Sequence, residues 1–68
     1  MKATLNERSN LISWLLQSEW IKKEYSDDPG WWWDKLANIT SAQKKFINAL
    51  LIQKNKEKLF EVLNNIVK

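Results

Sequence analysis

The chain has 68 residues, a net charge of +3 and five tryptophans, with neither cysteine nor histidine. It is one domain at most, 1–68, and it excludes disulfides, zinc–thiolate sites, iron–sulfur clusters and histidine-based catalysis or metal ligation. Chains below about 70–80 residues usually need a staple or a partner chain, so its aromatic residues must fill an unusually aromatic core, dock on another chain, or do both.

The N-terminal stretch Met1–Arg8 has no apolar run of signal-peptide length, and no run approaches a membrane span. With cysteine absent, the expectation is a cytoplasmic protein that does not enter a membrane. The single Pro and single Gly are adjacent, at Pro29 and Gly30. No window alternates apolar and polar residues for the length of a strand. The fold class is therefore all-α. The expected architecture is a compact bundle of three to four helices at about 5–25, 29–38, 41–53 and 56–67.

In the first helix the apolar residues fall into two stripes at about 100° per residue. Leu11, Trp14, Leu15, Ile21 and Tyr25 form one, and Leu5, Ile12, Leu16 and Trp20 form the other. A helix apolar on two sides is covered on two sides. It is either the centre of the domain or it shares itself between its own core and a partner. Ser26-Asp27-Asp28-Pro29-Gly30 ends this helix, with Asp28 as N-cap of the next and Pro29 at its first position. In that short second helix Trp32, Leu36 and Ile39 share a stripe, Trp33 lies beside it and Trp31 points away.

Thr40 and Gln43 fit a capping box that opens a third helix, with Phe46, Ile47, Leu50 and Leu51 facing inward. Beyond Asn55 the apolar positions Leu59, Phe60, Val62, Leu63, Ile66 and Val67 are rotated by about 150° if the helix continues. A break within Gln53-Lys54-Asn55-Lys56, with Asn55 as a left-handed cap or a new N-cap, accounts for the rotation. One long helix touching different neighbours at its two ends is the alternative.

The chemistry-bearing patterns are sparse. Eight carboxylates and no His or Cys leave no general-base constellation, so an enzyme is not expected, nor a metal or other cofactor. Asp27, Asp28 and Asp34 suit capping and the helix dipole. Three consecutive tryptophans, Trp31-Trp32-Trp33, spread over about 200° of a helix, so one face cannot bury them all. Trp is the residue type most enriched at binding hot spots. The expected function is a small protein-binding module, whether adaptor, regulator or inhibitor. It would dock a Trp-rich apolar surface on a protein partner or on its own copy. Trp31, Trp32 and Trp20 are the expected anchors, with Leu16 and Ile12 supporting.

The alternative is a nucleic-acid-binding regulator. Residues 1–40 carry five basic against six acidic side chains, whereas 41–68 carry six lysines against two glutamates. That reading uses Lys44, Lys45, Lys54, Lys56 and Lys58. The basic residues there are all Lys, without the Arg fork that most often reads guanine. The last apolar segment also offers no polar face to a groove.

Overall fold

The computed structural model describes residues 1–67. Five helices follow one another: α1 Leu5–Leu16, α2 Glu19–Glu24, α3 Pro29–Lys35, α4 Ser41–Gln53 and α5 Lys56–Val67. The all-α bundle is as expected, with one helix more, because the span expected as 5–25 is broken. At Gln17 and Ser18 the backbone N–H groups donate to Trp14 and Leu15 carbonyls three residues back, at 3.2 and 3.1 Å. That is the tightened last turn of a helix that stops. Ser18 then turns extended (φ −100°, ψ 106°), and its carbonyl accepts from Ile21 and Lys22 to start α2. Serine is suited to this role, since it competes with helical backbone bonds and favours helix ends.

The other starts follow local chemistry. Thr4 and Glu7 form a capping box on α1, and Thr40 and Gln43 form one on α4. Asp28 Oδ1 accepts from the Gly30 N–H at 3.0 Å, with Pro29 in the first turn. Helix α3 is shorter than the expected 29–38, closing after Lys35 with backbone bonds from Leu36, Ala37 and Ile39. The break between α4 and α5 is present. Its left-handed residue is Lys54 (φ 56°, ψ 35°) rather than Asn55. Asn55 N–H donates to the Leu50 carbonyl and Lys54 N–H to that of Leu51, the pairing of a Schellman motif. Asn55 then caps α5, its side chain accepting from Lys58 N–H at 3.3 Å.

Helix α1 packs against α2, α3 and α4, and α5 closes the bundle by packing on α4. The N-terminal strand-like segment is tied to the α3–α4 turn. Ala3 N–H donates to Ile39 O, and Ser41 N–H to Met1 O. The core holds Leu11, Ile12 and Leu15 from α1, Ile21 from α2 and Trp32 from α3. Leu36 and Ile39 come from the following turn, Ile47 and Leu50 from α4, and Leu59 and Leu63 from α5. Trp32 is the largest side chain wholly enclosed. Its indole N–H donates to Ser26 O at 2.8 Å, so the polar atom taken from water keeps a partner. Tyr25 and Trp31 meet its ring edge-to-face at 5.6 and 5.0 Å. Tyr25 in turn donates its hydroxyl to Asn64 Oδ1 at 2.6 Å, tying the end of α2 to α5.

Two consequences for stability can be measured. Trp32→Ala removes the central ring and leaves a cavity, and should cost about 3–5 kcal/mol. That is comparable with the whole stability of a small domain, so urea melts should show most of the chain unfolded without denaturant. Lys54→Gly relieves a left-handed side chain and should raise the unfolding free energy by about 0.5–1 kcal/mol in the same assay.

Candidate functional site

The expected anchors separate into two groups. Trp32 and Ile12 lie in the core, with 0% and 3% of their surface exposed. They leave nothing for a partner to touch. Leu16, Trp20 and Trp31 are partly buried and pack against the core. Trp20 meets Phe60 edge-to-face at 5.4 Å, and the Lys56 ammonium lies 5.3 Å from its ring centroid. Trp31 is flanked by Tyr25 at 6.3 Å and by Lys35 at 5.8 Å. Trp33 is partly buried under the Arg8 guanidinium, which lies 4.6 Å from its ring centroid while donating to the Trp33 carbonyl. Cations over indole faces are favourable and here close off aromatic surface that the triple tryptophan would otherwise present.

The exposed indole is instead Trp14, at 54%. It stands beside Leu51 and Ile52 of α4, and with Asn48 these residues line a dent of about 80 Å³. Ile52 is 77% exposed. Helices α1 and α4 run side by side in the same direction. The Ser41 hydroxyl at the start of α4 donates to Glu7 near the start of α1 at 3.1 Å, and Trp14 meets Asn48, Leu51 and Ile52 two turns further on. The seam between the two helices is therefore polar at its N-terminal end and apolar at its C-terminal end. Phe46, expected to face inward, is 46% exposed. It lies about 120° round α4 from Ile52 and belongs to a different side. Met1 and Leu5 are also exposed, at the terminus and in the first turn. Scattered exposed apolar residues need no explanation, whereas adjacent ones from two helices do.

Trp14 was missed as a surface residue because Ile21 and Tyr25 share its phase on an unbroken helix. Once α1 ends at Leu16 that alignment has no meaning. Within α1 alone, Trp14 lies about 100° round from the centre of the face made by Leu11, Ile12 and Leu15. Its neighbours one turn away, Asn10, Gln17 and Ser18, are polar.

A dent this size is far below the roughly 300 Å³ of a small-molecule pocket, and suits the tip of one apolar side chain. The larger trough beside Trp20, about 710 Å³, is lined by Glu19, Lys22, Lys23 and Asp27. Lys22 pairs there with Glu19 at 2.8 Å. Mixed charges that pair with one another offer no common attraction for a ligand, so the trough is the weaker candidate despite its size.

The lysines of the alternative reading are also divided. Lys44 lies close enough to Glu7 to help hold its carboxyl down, Lys56 covers Trp20 and Lys58 reaches Glu61 at 3.6 Å. Lys45 and Lys54 are exposed, and the ion pairs among the described residues involve neither. Among the described residues no helix is long and apolar enough to cross a membrane.

Glu7 fastens the polar end of the seam. Its carboxyl is held below the usual carboxylate value, first by the Thr4 backbone N–H at 2.9 Å and then by the Ser41 hydroxyl. A depressed acid contributes stability above its unfolded pKa and loses it as pH falls through the lower folded value. Urea midpoints should therefore drop on acidification through the carboxylate range, and Glu7→Gln should flatten the curve in that window.

No protein-family model matches the chain, and neither a curated protein nor a solved structure matches it.

Proposed function

We propose that this chain is a protein-binding module, an adaptor, regulator or inhibitor without a catalytic step, that docks through the apolar end of the α1/α4 seam. The observation that carries the reading is Trp14, 54% exposed, adjoining Leu51 and the 77% exposed Ile52 over a side-chain-sized dent. Trp anchors set beside pockets are the usual form of an interface hot spot. The surrounding helices α1 and α4 are capped at their N-termini and rigidly packed, which limits the ordering cost of binding. Trp20, Leu16 and Trp31 remain candidates for a wider contact on the far side. They are half-covered by Phe60, Lys56 and Tyr25, so they rank behind Trp14.

A nucleic-acid role draws support from one feature, the absence of any carboxylate between Asp34 and Glu57. It is the lesser reading. Bases stack on aromatic faces, and Trp14 offers only one beside an otherwise aliphatic surface, while two of the five lysines concerned, Lys56 and Lys58, are engaged within the fold.

The test compares Trp14→Ala with Trp31→Ala in affinity capture from the native source, followed by titration of the captured partner. Trp14→Ala should weaken binding by about 2 kcal/mol or more with thermal stability nearly unchanged. Equal binding by wild type and Trp14→Ala would overturn the seam as the docking surface.

A further inference from the structure

We infer that the occupant of the α1/α4 seam is an acidic protein segment, one apolar side chain seated beside Trp14 with Asp or Glu carboxylates on Lys45 and Lys54. The inference rests on the docking reading above and adds the chemistry of the partner.

The first ground is charge segregation. No Asp or Glu occurs from Lys35 to Lys56, so α4 and the turn after it carry lysines alone. The carboxylates Glu19, Glu24, Asp27, Asp28 and Asp34 all sit on α2, on α3 or in the turn between them. On α1 the one carboxylate is Glu7, already engaged by Thr4 and Ser41, and the remaining two, Glu57 and Glu61, are on α5, Glu61 beside Lys58.

The second ground is placement. Lys45 precedes Ile52 by seven residues, two helical turns, and so shares its side of α4. Lys54 lies two residues beyond Ile52, held in the turn that closes the helix. The two cations thus bracket the apolar patch along the chain. Both are exposed, and neither is in an ion pair among the described residues. A carboxylate-bearing partner would meet two exposed cations that are in no ion pair among the described residues, which favours encounter rate and selectivity.

The same charges disfavour a second copy. A two-fold interface sets the same patch against itself, bringing the lysines of one chain towards those of the other across the apolar contact. Nucleic-acid phosphates would also seek Lys45 and Lys54, but Trp14 is the single stacking face there, and Leu51 and Ile52 beside it offer none for a neighbouring base.

The experiment selects short random peptides against the full chain, measures the enriched peptides by fluorescence polarisation, and repeats both steps with Trp14→Ala and with the double variant Lys45→Glu/Lys54→Glu. Thermal melts confirm that the variants fold. The expected peptides carry Asp or Glu around one large apolar residue and bind about tenfold or more weakly to either variant. The double variant should instead enrich basic peptides. Trp14-dependent peptides that are neutral or basic on the wild type overturn the acidic partner and leave the docking surface standing. Absence of any Trp14-dependent peptide overturns both. A Trp14-dependent dimer in sedimentation at micromolar concentration would assign the surface to a second copy and overturn the acidic partner. So would binding of an oligothymidylate that is lost in the double variant, whether or not Trp14→Ala keeps it.

Discussion

The break at Gln17 and Ser18 governs how this chain distributes its aromatic residues. Had α1 continued through Tyr25, Trp14, Ile21 and Tyr25 would have shared one side of a single rod. The tightened turn and the extended Ser18 give α2 a new direction. Ile21 then enters the core, Trp20 and Tyr25 reach Phe60 on α5, and Trp14 stays behind on the outside of α1. One short interruption separates the residues that hold the bundle from the indole that stays exposed.

The aromatic cluster that results has a clear internal order. Trp32 is enclosed and its N–H is satisfied by Ser26. Tyr25 and Trp31 pack on it, and Phe60 and then Trp20 extend the cluster from Tyr25, all in tilted or edge-to-face pairs, the arrangements that ring quadrupoles favour. Cationic stems close the outer faces: Arg8 over Trp33, Lys35 by Trp31 and Lys56 by Trp20. Long basic side chains lay methylenes over apolar surface while their charges stay near water. Trp14 has no such cover among the described residues. The contrast between covered and uncovered indoles, rather than their number, is what points to the α1/α4 seam.

The site's polar end serves a structural purpose. Glu7 completes the cap of α1 and receives the Ser41 hydroxyl at the start of α4, fixing how the two helices lie together. Trp14 and Ile52 are consequently presented from two rigid elements at a set spacing. A loop-borne patch would lose more conformational entropy on docking. No carboxylate lies on α4 or in the turn after it, so the apolar end of this seam has lysines at its edge.

Local chemistry made several features legible before any coordinates. The fold class followed from helical periodicity and a single Pro-Gly turn. Thr40 with Gln43, Asp28 with Pro29, and the break near Asn55 each depend on groups within five residues of one another, and each lies where the sequence indicated. Which tryptophan faces water depends instead on where α5 folds back and on the phase lost at Ser18. Those are contacts between residues far apart in the chain. Periodicity assigns an apolar residue to a side of its own helix, and only the packing of the other helices decides whether that side is covered. For Trp32 and Ile12 it was, and for Trp14 it was not.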